Sequence, residues 1–526
     1  MMFRKGYFIF ILFLSSCLTK DPDTDLTIFK YNESSGIATL DPAFAKDQAT
    51  IWATNQLFNG LVQLDDQLLV KPSIAKSWSI SDDGLIYEFN LREDVFFHDD
   101  PLFLNGKGRK VVASDFEYSF SRLIDKNLAA PGAWVLSNVN NFYAVNDSTF
   151  IVELHKPFPA FLSLLSMQYC SVVPEEIVST RNFNRSPVGT GPFKFQLWVD
   201  GVKLILRKNP NYFEELEGER LPFLDAVSIS FIKDKQSAFL NFIQGNLDFV
   251  SGIDASYKDQ ILDNNGNLNM RYVNQVNMYS MPYLNTEYLG FLMDSSLVLE
   301  IRRAINYGFD RVKMLKYLRN NIGTPATNGF IPMGIPSFSE DVKGYYYDQE
   351  KARELVILAV KRGDFDYDTE IVLSTTSSYL DLCEYIQHQL SDIGLKIKIQ
   401  MNPASTHRQM VATSKLSFFR GSWIADYPDG ENYLSLFYSK NFCPNGPNYT
   451  HFNNLTFDSL YQMALSENND SIRRKLYQRM DQIIIDNAVV VPLYYDRVIR
   501  FTSKDITGLG SNAMNLLNLK YTIKKQ

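Results

Sequence analysis

At 526 residues, 45% hydrophobic and 14% aromatic, the chain is long enough for two or three lobes and too apolar to be disordered. Its formal charge of −7 argues against nucleic acid as a partner. Its four cysteines are irregularly spaced and form no Cys-x-x-Cys pair, so neither a zinc framework nor dithiol redox chemistry is suggested.

The first sixteen residues read as an export signal. Arg4 and Lys5 form the positive end, Tyr7 to Leu14 the apolar stretch, and Ser15 and Ser16 the small residues before Cys17. That stretch is far shorter than the ~20 residues needed to span a bilayer. Leu14-Ser-Ser-Cys17 resembles a bacterial lipobox, which makes Cys17 the expected lipidated first residue of the mature chain, with Lys20 to Asp25 a solvated tether. Loss of Arg4 and Lys5 leaves the mature chain more acidic still.

Leu26 to Tyr31 predicts a first strand, and Ala49 to Gly60 a helix stopped by its glycine. Tyr87, Phe89 and Leu91 alternate with polar residues as in a half-buried strand. A helix is expected from Ala113 to Phe120 with Ser114 as N-cap, and a strand from Thr149 to Leu154, ended by Pro157 and Pro159. Ser186-Pro-Val-Gly-Thr-Gly-Pro-Phe-Lys194 has glycines that permit tight backbone geometry. It is no phosphate loop, because the Gly-Lys-(Ser/Thr) ending is missing and Pro192 removes an amide donor. Val202 to Leu206 and Ala226 to Ile232 read as strands. Leu299 to Arg311 reads as a helix whose apolar spacing runs through Ile301, Ala304, Ile305, Val312 and Leu315.

The most legible architecture follows. Thr369 to Leu373 is a strand and Leu380 to Ile393 a helix closed by Gly394. Leu395, Ile397, Ile399 and Met401 then alternate with polar residues as a second strand. This is a β-α-β crossover, hence a parallel sheet. A helix through His407 leads into a strand at Phe418, and helices at Asn453 to Leu465 and Ile472 to Ile485 precede a strand at Val489 to Tyr495.

Arg420-Gly-Ser-Trp-Ile-Ala-Asp-Tyr-Pro-Asp-Gly-Glu-Asn432 carries the chemistry. The strand runs out, Pro428 and Gly430 form a loop, and the carboxylate of Asp426 is delivered near Trp423. Strand ends of open α/β sheets border the ligand crevice, and a carboxylate beside an aromatic suits an ammonium group. Taken alone, the stretch reads as readily as a turn with a capping Asp and a core Trp, the commoner use of such residues. The five histidines are scattered, and neither His-Glu-x-x-His nor Gly-x-Ser-x-Gly occurs, so an enzyme reading has no nucleophile or acid/base pair to stand on.

Trp423-Ile-Ala-Asp-Tyr-Pro-Asp-Gly-Glu-Asn-Tyr-Leu434 resembles the Trp-x-Ala-Asp-Tyr-x-(Asp/Glu)-Pro-x-x-Phe-Leu segment of the extracellular solute-binding proteins, family 5. Phe58-Asn-Gly-Leu61, Ile74-Ala-Lys-Ser-Trp78, Ser186 to Lys194 and Leu299 to Arg311 match the same family. The resemblance implies an α/β, periplasmic-binding-protein-like fold (type II, cluster C). Two α/β lobes with mixed sheets are joined by a hinge, with a small extra domain. Expected bounds are 1–16 for the signal, 17–53, 186–281 and 495–526 for lobe I, 54–185 for the extra domain and 282–494 for lobe II.

By the same resemblance the protein binds oligopeptides and hands them to an ABC permease and its ATPase, as a monomer without cofactor. Asp426 holds the peptide ammonium, Trp423 walls a side-chain pocket and Arg420 meets a carboxylate. Ser422, Tyr283 and Tyr288 are expected near the ligand. At Gly132 the peptide binders place a Tyr, and Trp134 is the candidate to fill that gap. Two features depart from the family: Gly430 replaces a common Pro, and the His98 to Arg109 loop is longer. A disulfide found in some relatives would join positions 285 and 424, here Asn and Ile. Other ligands of the family (dipeptides, nickel complexes, haem, oligosaccharides), an adhesin or sensor role and a peptide hydrolase remain alternatives.

Overall fold

The computed structural model describes residues 26–254, 256–293 and 297–525. The export signal, Cys17 and the tether lie outside the described residues. Ten strands form the path of one mixed sheet: β1 (Ile28–Asn32), β2 (Phe193–Val199), β3 (Lys203–Lys208), β4 (Ala226–Ser230), β5 (Phe249–Ser251), β6 (Val276–Phe291), β7 (Glu370–Thr375), β8 (Lys396–Met401), β9 (Phe418–Ile424) and β10 (Val490–Ser503). Their spatial order is β8-β7-β9-β6-β10-β5-β1-β4-β3-β2.

Two long strands, β6 and β10, belong to both lobes. They pair antiparallel from Val276 opposite Ser503 to Gly290 opposite Val490, and the register shifts between Pro282 and Thr286. A shift of this kind bends and twists a strand. On one side of it β10 pairs with β5 at Arg500 to Thr502; on the other, β6 pairs with β9 from Asn285 onward. The sheet passes from lobe I to lobe II along these two strands. Asn285 lies directly opposite Ile424, so the disulfide positions of the relatives are neighbours here without sulfur. Cys170, Cys383 and Cys443 are buried free thiols.

In lobe II the β-α-β unit forms as expected. β7 and β8 run parallel from Glu370 opposite Lys396 to Thr375 opposite Met401. The helix Leu380–Ser391 between them buries Leu382, Cys383, Ile386 and Leu390 on one face. Both faces of this half-sheet are covered. Leu289, Phe291, Phe418, Val491 and Leu493 enter one core, while Leu284, Tyr288, Phe419 and Val490 enter the other. Two-sided burial is why Val489 to Val491 reads as an unbroken apolar run rather than an alternation.

Lobe I and the small four-stranded sheet share one core, in which Phe29 and Leu204 join Phe89, Phe116 and Phe150. The small sheet runs in the order Ala75–Ile80, Ile86–Leu91, Thr149–Leu154, Val139–Asn146. The long His98 to Arg109 loop docks onto lobe I through a neutral imidazole. The Gly189 amide donates to His98 Nδ1 at 3.3 Å, and Nε2 donates to Gly191 O at 2.9 Å. Burial lowers the His98 pKa to about 4, so the ring stays neutral in this role. Gly189 and Gly191 are glycine because a Cβ would lie 2.1 Å from Leu57 O and 2.4 Å from Leu57 C, respectively.

Four local expectations are corrected. The first helix ends at Leu57, not Gly60, because Phe58 turns extended (φ −132°) and drives its ring into the core. Ser114 is not the N-cap of helix Ala113–Leu123; Asp115 does that work by accepting from the Val112 amide at 2.9 Å. The helix expected through Arg311 is two, Leu299–Tyr307 and Arg311–Leu318. Asp310 starts the second by accepting from the amides of Val312 and Lys313, each at 3.0 Å. That break resets the helical phase, leaving Val312 61% exposed while Met314 and Leu315 are buried. Finally, the last strand continues to Ser503 instead of stopping at Tyr495.

Candidate functional site

A cavity lies between the lobes, with about 1030 Å³ of empty space counted to its open mouth. Its walls come from three parts of the chain. Phe58, Met167 and Tyr169 belong to the lobe I side, Met514 and Leu516 to the C-terminal segment, and Asp426, Tyr427 and Pro428 to lobe II. Between the apolar patches stand neutral amides, including Asn55, Asn59, Gln168 and Asn512. Such a lining can hydrogen-bond a polar main chain without imposing charge.

Three charged side chains reach the cavity: Asp66, Lys520 and Asp426. Lys520 is engaged already, ion-paired to Glu214 and donating to Gln63 Oε1 at 2.7 Å. Asp66 faces the buried Arg500, whose charge opposes the rise that burial imposes on the Asp66 carboxyl. Asp426 has no such counterweight. Burial among surrounding atoms raises its pKa, and only a hydrogen bond from Asn432 opposes the shift. Among the described residues it is the cavity acid with no cation set against it, and its side chain is open to the cavity.

The chain delivers Asp426 there by local means. β9 ends at Ile424, and the Asn432 side chain accepts from Trp423 Nε1 at 2.8 Å and from the Asp426 amide at 3.4 Å. One amide oxygen thus ties the Trp to the acid. Beyond it, Glu431 is buried, without a cation among the described residues, and accepts from the hydroxyls of Tyr427 and Tyr461. That clamp fixes Tyr427 in the cavity wall beside Asp426.

The other expected site residues lie elsewhere. Arg420 is 11% exposed, ion-paired to Glu287 on β6, and its guanidinium stands 3.2 Å over the Tyr379 ring. Tyr288 is a core residue packed edge-on to Phe330 at 5.1 Å. Gly421 has no Cβ because the Tyr288 ring occupies that space. Trp423 packs against the lobe II core and Ser422 faces solvent on β9. Tyr283 lines a second pocket at the hinge with Arg319, Tyr379 and Asp496. Burial, then Asp496, pushes its hydroxyl pKa up to about 12. Trp134 sits on a 3-10 turn, 41% exposed, outside the cavity.

Tyr169, Asn432 and Glu431 were not reached from sequence. Only Glu431 and Asn432 had a local signal, lying in the same stretch as Asp426. Tyr169 had none.

The sequence model of the bacterial extracellular solute-binding proteins, family 5 Middle, matches residues 70–442. The chain belongs to this family. Among relatives of this family 5 binding protein, Heme-binding protein A of Haemophilus influenzae is 26% identical, over 91% of this chain and 89% of that protein. Dipeptide-binding protein DppE of Bacillus subtilis is 24% identical, over 94% and 91%. The periplasmic binding protein DppA of Helicobacter pylori, solved in complex with the peptide STSA, superposes with a TM-score of 0.76 at 24% identity, covering 95% of this chain and 98% of that one. The family 5 binding protein therefore has the two-lobe type II fold, and its relatives are solute-binding proteins, not enzymes.

Proposed function

We propose that this protein takes short peptides into the interlobe cavity by their N-terminal ammonium and serves an ABC importer as its extracytoplasmic ligand carrier. One observation carries the reading: the cavity presents an acid, Asp426, that no cation among the described residues neutralises. A carboxylate crowded by surrounding atoms with no cation beside it becomes costly once closure shuts it from water, and an incoming ammonium offsets that cost. The neutral amides around it suit peptide main chain, with side chains left to the apolar patches and to water.

The same charges disfavour haem. Its two propionates would meet Asp426, and the lysine in the wall is already paired with Glu214. Arg420 supports the hinge in this reading, since a ligand carboxylate would have to displace Glu287 from it. Because both lobes wall the cavity, the ligand enters when they separate and is held when they close about β6 and β10. We place the passage from lobe I to lobe II near 282 and the return near 495, and anchor the protein to a membrane through Cys17.

Native mass spectrometry of freshly purified protein should show a bound peptide, since a tight ligand often co-purifies. Asp426→Ala should weaken binding of free-amine peptides by roughly 2–5 kcal/mol, the usual cost of stripping one partner from a buried charge pair. A co-purified haem or sugar, or unchanged affinity in a folded Asp426→Ala protein, overturns the proposal.

A further inference from the structure

We infer that Tyr169 is the opposite-lobe half of the ammonium subsite, and that Gly132 is glycine in order to seat it. This rests on the reading of Asp426 given above. Asp426 comes from lobe II, whereas Tyr169 comes from the 3-10 turn Gln168–Cys170 on the lobe I side, and both line the one cavity. After burial, the charge of Asp426 is the largest influence on the Tyr169 hydroxyl, whose pKa is pushed up to about 12. The acid and the phenol thus stand on the wall of one cavity, reached from different segments of the chain.

Tyr169 is held firmly. Gln168 Nε2 donates to Asn55 Oδ1 at 2.8 Å, and the Cys170 amide donates to Met167 O at 2.9 Å. The ring lies on the backbone of Gly132: a Cβ there would sit 2.2 Å from Tyr169 Cδ1 and 2.3 Å from Cγ. Gly132 has no positive φ, so its backbone does not require glycine. Space for the ring is what requires it. Trp134, exposed on the neighbouring 3-10 turn, does not line the cavity and does not supply this ring.

An ammonium has three N–H donors. Asp426 takes one, the Tyr169 hydroxyl oxygen accepts a second, and a main-chain or water oxygen can take the third. Among the described residues the hydroxyl has no other hydrogen-bond partner. The subsite is complete only when the lobes are closed, so closure itself reads the amine. A secondary amide such as an N-acetylated terminus has one donor and no charge, and satisfies neither partner fully.

The test compares a peptide with its N-acetylated twin by isothermal titration, with circular dichroism and melting confirming fold. Tyr169→Phe should weaken the free-amine peptide about tenfold, the scale of one hydrogen bond to a charged group, and leave the acetylated twin unchanged. Gly132→Ala should lower the same amine-to-acetyl ratio although it touches no ligand, and should add nothing in a Tyr169→Phe background. Asp426→Asn separates the two claims. If it leaves the ratio intact, the ammonium reading itself fails. If it abolishes the ratio while Tyr169→Phe and Gly132→Ala keep the wild-type value, the present inference alone is overturned.

Discussion

Two carboxylates, both raised by burial, are expected to act in opposite directions. Asp426 must be ionised to hold an ammonium, so affinity for free-amine peptides should fall as pH drops through its raised pKa. The loss begins above the ordinary aspartate value of 3.8. Titrations between pH 7 and pH 4 check this, and Asp426→Asn should flatten the profile. Asp481 is buried, with no cation beside it among the described residues, and accepts from the amides of Phe330 and Ile331 at 2.7 and 3.2 Å. Burial lifts its pKa to about 7 from an ordinary 3.8. Here the folded state holds the proton more tightly than the unfolded state. Stability is therefore lost as pH rises from about 3.8 through about 7. Urea midpoints should fall across that window in the native protein, with a shallower fall in Asp481→Asn, which stays neutral.

Among elements, the loop after β9 depends on the buried Glu431. Glu431→Ala leaves the hydroxyls of Tyr427 and Tyr461 without their acceptor, each worth about 1–3 kcal/mol when buried. Denaturant unfolding should show a loss of roughly 2–5 kcal/mol, and ligand affinity should fall too because Tyr427 walls the cavity. Elements were legible where their reason was local. Helix Leu380–Ser391 and strand β8 follow from apolar periodicity, and Asp426 from a strand ending in a Pro- and Gly-bearing loop. They were illegible where a distant partner decides. Val312 turned outward because Asp310 capped a new helix. Arg420 was claimed by Glu287, a neighbour across β9 and β6 that no spacing reveals. Tyr169 comes to line the same cavity as Asp426 only once segments remote in the chain are assembled.

For the molecule as a whole, β6 and β10 carry the sheet through both lobes, so the closure proposed above would flex a continuous backbone at a register shift. The family fold was readable because several separated motifs agreed on it. Of the candidate site, the sequence pointed only to the acid Asp426, since the rest of the cavity wall is built from segments remote in the chain. The most direct test of that acid's role is calorimetric titration of the native protein with a short peptide and with the same peptide N-acetylated. The free amine should bind more tightly by about 2–5 kcal/mol, and the difference should vanish in Asp426→Asn. Equal affinities of the two peptides for the native protein would contradict the account.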